Sequence, residues 1–301
     1  MDSILQIVRQ EDLENRFSRK HIDGLIREAI ALPETQAKVK QGVKLLNEWL
    51  AYPHHESKKQ RISQLLLLDL HNLVTDLFVG IAYIQEPQLF TAVTAQLAGR
   101  LGFSEKREAI QTVAEVVSVL CLTDAYDITK EDKMASLMIV SRMHIPDETK
   151  VFIENIAYLL PMVCEPLELE SNYDSGYLTH KDSLILGAGN HHNGNICLDV
   201  LNKMNRVRLK LDVDFLRTVE EEPTFEMDTA EKRDMWLKFK RDSTRMYALL
   251  ATLCDEFYLT HKVDKRGRIY AQGYHINTQG TSFKKAMIEL ANEEIVEGVP
   301  V

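Results

Sequence analysis

Asp264, Arg266, Gly267 and Arg268 place one carboxylate and two guanidinium groups around a glycine within five residues. Each guanidinium can fork two N–H bonds onto a phosphate. The glycine permits close approach to the backbone, and the carboxylate can hold one arginine in a fixed rotamer. The chemistry this suits is gripping a polyanion. From His261 to Lys285 there are six Lys or Arg and one Asp. The competing reading is an ordinary charged surface hairpin. Asp-x-x-Gly-Arg alone should occur by chance on the order of once in twenty chains of this length.

The elements that must present these groups follow from the flanking pattern. Arg268–Ile276 alternates loosely and contains Ile and Tyr, which suits a strand or hairpin arm. Gln279 and Gly280 mark a second turn, and Lys284 and Lys285 open a further helix. Upstream, apolar residues at helical spacing (Trp236, Phe239, Met246, Leu250, Leu253, Phe257) predict a long helix from about Thr229 to Leu259. Lys238, Arg241 and Arg245 lie three and four apart and share another face of it. Asp234 and Asp242 are close enough to pair with them, so a plain solvated face is the competing reading there.

The 301 residues carry a net charge of −9, which argues against coating DNA by bulk attraction. The excess acid is confined to residues 1–200, with 19 Lys or Arg against 28 Asp or Glu, whereas 201–301 carry 17 of each. A local basic face is therefore compatible with the total. Four scattered cysteines without close pairing predict reduced thiols rather than a zinc site or a disulfide framework. The N-terminus breaks into charge too early for a signal peptide. No apolar run approaches membrane-spanning length. The expectation is a cytosolic protein with no membrane partner.

The first half reads as helices: one apolar pattern begun by Leu5, Val8 and Leu13 and continued by Ile22, Leu25, Ile26 and Ile30, then a second helix opened by Pro33. Ile62–Ile84 is apolar on several faces, and Pro87–Leu101, Ser104–Leu122, Lys130–Met143 and Asp147–Leu160 continue the pattern. Ser104 reads as an N-cap. After Leu160 comes loop and short strand, with GAGNHHNGN at 187–195 read as a polar loop rather than a phosphate or metal site. Helices return at Ile196–Arg208 and Asp212–Val219. The expected class is mainly α with a small β component, divided as 1–216 helical domain, 217–262 basic helix region and 263–301 a small mixed end.

The extended string decides more than the short motif. DKRGRIYA followed by NTQGTSFKKAMIELANEEIVEG resembles the start of the palm in the single-subunit DNA-directed RNA polymerases of bacteriophages and mitochondria. That family has an Asp-x-x-Gly-Arg turn, a Val/Ile-Tyr-Ala strand, a Pro-Gln-Gly turn, a lysine-bearing helix start and a Leu-Ala run. Here the same order is Asp264, Gly267 and Arg268, then Ile269-Tyr270-Ala271, Gln279-Gly280, Lys285 and Leu290-Ala291. PMVCEPLEL with SGYL, the helix bearing Asn202, and the 229–259 helix in the thumb position extend the resemblance more faintly. Lys265 and Thr278 depart from it, standing where the family commonly has an aromatic and a proline.

The resemblance implies a thumb and the opening of a palm. Arg268, Gly267 and Tyr270 would contact the RNA–DNA hybrid, Arg266 and Lys285 would add contacts, and Asp264 would orient an arginine. Gln279 and Gly280 belong to the same nucleic-acid-binding set, and Lys238, Arg241 and Arg245 would track phosphates along the thumb. The two metal-binding aspartates and the fingers of that family lie beyond the matched region. The expectation is the small N-terminal subunit of a split phage polymerase, inactive alone, in an obligate heterodimer with a larger C-terminal subunit. That subunit would hold Mg2+ and the NTPs. DNA template, hybrid and a single-stranded-DNA-binding or recruiting factor are the other expected partners, in the cytoplasm of an infected bacterial cell. Met287, Ile288, Leu290 and Ile295 are expected to lie exposed for the partner. The alternatives are a non-enzymatic helical regulator that binds nucleic acid or a polymerase, and a fragment of a longer polymerase.

Overall fold

The computed structural model describes residues 2–130, 136–155, 160–187 and 189–292. Along the chain, α1 spans Asp2–Arg16, α2 Arg19–Ile30, α3 Pro33–Ala51, α4 Lys59–Leu65 and α5 Leu70–Ala82. Next come β1 Gln88–Leu89, α6 Phe90–Leu97, α7 Lys106–Leu120, β2 Tyr126–Lys130, β3 Leu137–Ser141 and α8 Asp147–Asn155. The remainder contains α9 Leu198–Asn205, β4 Leu209–Leu211, α10 Val213–Thr218, α11 Ala230–Leu253, β5 His261–Val263, β6 Ile269–Ala271, α12 Ser282–Ala286 and β7 Ile288–Leu290. The class is mainly α with a small β component, as expected. The chain forms two compact units, Arg19–Glu154 and Met1–Ser18 with Asn155–Val301.

In the first unit, α5 is buried on nearly every side, with Leu73, Val74, Leu77, Phe78, Val79, Ile81 and Ala82 all in the core. A Cβ on its Gly80 would stand 2.3 Å from Leu97 Cδ2, so glycine lets α5 and α6 approach closely. The Ile62–Ile84 run is two helices, not one. They meet at 94°, and the Asp69 side chain caps α5 by accepting from Asn72 N–H. The helix start expected at Ser104 shifts to Lys106, with Glu105 at the cap position and no side-chain bond. Pro87–Leu101 holds a two-residue strand before α6.

The larger correction is within the expected Lys130–Met143 helix: Lys130 ends β2 and Leu137–Ser141 is strand β3, while residues 131–135 lie outside the described residues. β3 is the centre of an antiparallel sheet of order β1-β3-β2, with Ile128 opposite Ile139 and Tyr126 opposite Ser141. Only Ile139 of Leu137–Ser141 is fully buried. Tyr126 anchors the sheet, its hydroxyl donating to Val117 C=O at 2.6 Å and its ring meeting Phe78 edge-on.

The second unit carries the basic turn. Its core joins Val163, Leu209, Tyr247, Leu250, Phe257, Leu259, Ala271, Ile276 and Met287. Helix α11 stops at Leu253, six residues short of the expected Leu259, because Cys254 turns extended (φ −158°). The freed chain then pairs: Phe257 bridges to Leu209, Tyr258 to Met162, and Val263 to Ile185. The Asn202 side chain on α9 clamps Leu169 from both sides, accepting from its N–H at 2.9 Å and donating to its C=O at 3.0 Å. In α1, Leu13 is buried while Leu5 and Val8 are exposed, so the expected stripe is only partly a core face. The C-terminal region is corrected as well. After five residues α12 gives way to β7, which pairs antiparallel with β4. Met287 is fully buried in its own unit and Ile288 packs on the same core, while Leu290 is exposed. Ile295 lies outside the described residues.

Candidate nucleic-acid interface

The turn at Asp264–Arg268 closes the β5–β6 hairpin, in which Val263 pairs with Ile269 and His261 with Ala271. Gly267 N–H donates to Asp264 C=O at 2.9 Å, and Asp264 N–H donates to Arg268 C=O at 2.9 Å. The Asp264 Oδ1 atom accepts the backbone N–H groups of Arg266 (2.8 Å) and Arg268 (3.0 Å). This is local turn chemistry: an aspartate binding the amide two residues on, and a glycine in the left-handed region (φ +79°) before the strand resumes. The Asp and Gly of the motif are thus demanded by folding. The Gly267 N–H, read from sequence as open to a phosphate, is already donated inside the turn. Nothing lies within 4 Å of a Cβ built on Gly267, so the conformation, not a neighbour, requires glycine. Gly267→Ala is accordingly expected to cost about 1 kcal/mol of stability, read as a lower thermal midpoint of the full chain. An unchanged midpoint would show that the turn relaxes without strain.

What the turn presents is arginine. Arg268 Nε and a terminal nitrogen donate to Asp264 Oδ2 at 2.7 and 2.6 Å, and Arg266 Nε stands 3.5 Å from the same oxygen. Arg268 also lies over the Tyr270 ring at 5.6 Å, and the Tyr270 hydroxyl reaches Asp264 Oδ2 at 3.4 Å. Burial opposes the Asp264 charge, yet the Arg268 bonds hold its carboxyl below the usual range, and in return Asp264 raises the Arg268 pKa. More than half of each arginine side chain remains exposed, so both keep N–H groups facing solvent while their direction is fixed.

The other basic residues divide sharply. Lys262 is buried and paired with Asp182. Lys284 is buried, with Nζ donating to Tyr274 C=O at 2.5 Å. Lys265 and Lys285 are exposed. The outward positive field is therefore weaker than the sequence count, and is carried by Lys265, Arg266, Arg268 and Lys285. On α11, Lys238, Arg241 and Arg245 are exposed as a stripe. Arg241 and Arg245 reach buried Asp242 at 3.4 and 4.0 Å, which supports the pairing read from sequence.

Gln279 works inward. Its side-chain oxygen accepts Ala271 N–H at 2.9 Å and its amide donates to Ile269 C=O at 3.1 Å, so it acts as an extra pairing partner along β6. Gly280 makes room for Lys284, whose Cδ would stand 2.7 Å from an added Cβ. These two residues position the hairpin. Sequence reasoning missed Asn277, which donates to Ala271 C=O and Gly273 C=O and so holds the same bend. The Asn-x-Gln spacing is the available signal.

The 187–195 loop is held by Asn172 Nδ2, which donates to His192 and Gly194 carbonyls, and His191 meets Ser183 Oγ at 2.7 Å. Among the described residues no three His, Cys, Asp or Glu side chains converge as metal ligands. The four cysteines are free. Burial pushes Cys164 up to about 11 and Cys254 up to about 12, which leaves both as thiols near neutrality. Among the described residues no single helix is long and apolar enough to cross a membrane.

No family model matches the chain. Over 145 residues it is 31% identical to a protein of Gelasinospora sp. (strain G114) described as a probable DNA-directed RNA polymerase. This chain is similar to a DNA-directed RNA polymerase. The aligned part is 44% of this chain and 17% of that relative, so the chain spans less than a fifth of the polymerase it matches.

Proposed function

We propose that this chain is the small, non-catalytic subunit of a DNA-directed RNA polymerase, holding the template and the RNA–DNA hybrid beside an active site on a second, larger subunit. The observation that carries the proposal is Arg268, fixed by Asp264 and Tyr270 at the tip of a hairpin yet open to solvent. A guanidinium aimed in advance loses little freedom when it meets a phosphate. The similarity to a polymerase supplies the context.

In this reading Arg266, Lys265 and Lys285 extend the grip around Arg268. Lys238, Arg241 and Arg245 follow the phosphates along α11, and Asp264, Gly267, Gln279 and Gly280 shape the hairpin that holds them. The larger subunit would contribute the carboxylates that hold Mg2+ for two-metal phosphoryl transfer, and it would select the NTPs. The heterodimer, a phage origin with the host cytoplasm as its site, and a recruiting single-stranded-DNA-binding factor belong to the same proposal.

The test is reconstitution. The chain is mixed with a polymerase polypeptide bearing the palm carboxylates and fingers, on a single-stranded DNA template. The expected result is Mg2+-dependent NTP incorporation by the mixture and by neither component alone. Binding of hybrid without synthesis, whichever such polypeptide is added, would instead establish a non-enzymatic regulator.

A further inference from the structure

Glu221, Phe225, the first turns of α11 and Tyr274 enclose a cavity of about 360 Å3 in the second unit. Its wall is a run of rings. Phe225 meets Trp236 edge-on at 6.3 Å, Trp236 stacks on Phe239 at 5.4 Å, and Phe239 meets Tyr274 edge-on at 5.9 Å. Lys284 Nζ sits over the Phe239 and Tyr274 rings at 5.2 and 4.9 Å and donates to Tyr274 C=O. The cation at the floor is therefore already satisfied by protein. Glu221 is buried beside it, and burial raises its carboxyl pKa against the pull of Lys284.

The mouth of the cavity is apolar and open. Met235 is 61% exposed, and Phe225 and Tyr274 are also exposed. Around it the acids outnumber the bases: Glu220–Asp234 holds seven carboxylates against Lys232 and Arg233, with Lys232 paired to Asp228 at 2.6 Å and Lys240, further along α11, paired to Glu220 at 3.0 Å. This sign runs opposite to that of the Arg268 turn. Phosphates brought to this mouth would meet repulsion, whereas arginine or lysine would meet complementary charge. A cavity of about 150 Å3 holds a benzene ring, so this larger one has room for one bulky aromatic anchor and part of its neighbour.

We propose that this cavity docks a basic segment of a partner protein, whose aromatic anchor enters between Phe225, Met235 and Trp236 while flanking arginines or lysines face Glu222 and Glu226. The inference rests on the cavity and its charge, and not on the nucleic-acid reading of the hairpin.

The test titrates the full chain with a labelled peptide of alternating arginine and tryptophan, its glutamate–tryptophan counterpart, and a labelled oligothymidylate. The basic peptide is expected to bind saturably, losing about tenfold in affinity in Phe225→Ala and in Glu222→Lys. Both positions are exposed, so the fold should survive either change. Arg268→Ala should leave the peptide affinity unchanged, which separates failure here from failure of the hybrid-binding proposal. Absence of saturable binding, equal binding of the acidic peptide, affinity retained in both cavity variants, or oligothymidylate competing for the cavity would each overturn the proposal.

Discussion

Arg268→Ala is expected to lower affinity for an RNA–DNA hybrid by about tenfold or more at low salt, the scale of one charge-assisted bond to phosphate. It should also reduce the salt dependence of binding by about one phosphate contact. The fold should be little affected, because the side chain is more than half exposed, lying over Tyr270 and bonded to Asp264, while the turn itself is closed by backbone amides. Asp264→Asn sharpens the test. Asparagine keeps an oxygen for the Arg266 and Arg268 backbone amides, so the turn can close, but loses the charge that holds the guanidinium. If Asp264 orients Arg268, hybrid affinity falls in this variant too. If Asp264 merely screens the arginine, removing a negative charge beside the phosphates raises affinity. Both are read by titrating labelled hybrid at several salt concentrations, and unchanged affinity and slope in Arg268→Ala would remove the hairpin from the interface.

The hairpin was legible because its instructions are local. Asp264 and Gly267 specify the turn within four residues, and Ile269-Tyr270-Ala271 is a strand by residue type. What sequence could not show is which cations stay outside. Lys262 and Lys284 look like Lys265 and Lys285 in the sequence, but Asp182 and Tyr274 C=O draw the first two inward. Gln279 likewise reads as a polar turn residue until its amide is seen spanning the β6 backbone.

The fold failed to read where a distant strand decides the matter. Leu137–Ser141 is a short apolar run that suits helix or strand equally by periodicity. Pairing with Tyr126–Lys130 on one side and Gln88–Leu89 on the other resolves it, and neither partner lies within the run. The same holds after Leu253. Phe257 keeps helical spacing with Leu250 and Leu253, yet it leaves the helix to bridge Leu209 and fill the core. Met287 has the composition of a partner-facing residue but packs on that same core. Long helices with one apolar face, such as α3 and α7, needed no such partner and were read correctly as helices.

Mild acid is expected to destabilise the hairpin-bearing unit through two histidines. His261, on β5, is buried with Nδ1 at 3.0 Å from Asn205 Oδ1, and burial lowers its pKa to about 4. His275 is buried with Nδ1 at 2.9 Å from Ser243 Oγ. Burial and then the Lys284 charge lower it to about 4, against a smaller opposing pull from Asp242. The unfolded chain protonates both near about pH 6.5 while the folded unit does not, so stability is lost as pH falls from there towards about 4. Near pH 5 each contributes about 2 kcal/mol of destabilisation. Glu221, whose raised carboxyl takes up a proton more readily when folded, offsets part of this from the acid side. The measurement is urea unfolding of the full chain at about pH 7.5 and about pH 5, followed by Trp236 fluorescence in a Trp49→Phe background, because Trp49 belongs to the other unit. His275→Asn and His261→Asn should each remove part of the pH difference, whatever they do to the midpoint at neutral pH. A pH difference that survives in the double variant would place the acid sensitivity elsewhere. If it vanishes, loss of hybrid binding below about pH 6 would follow from melting of the unit that carries β5 and β6, since Arg268 itself keeps its charge throughout that range.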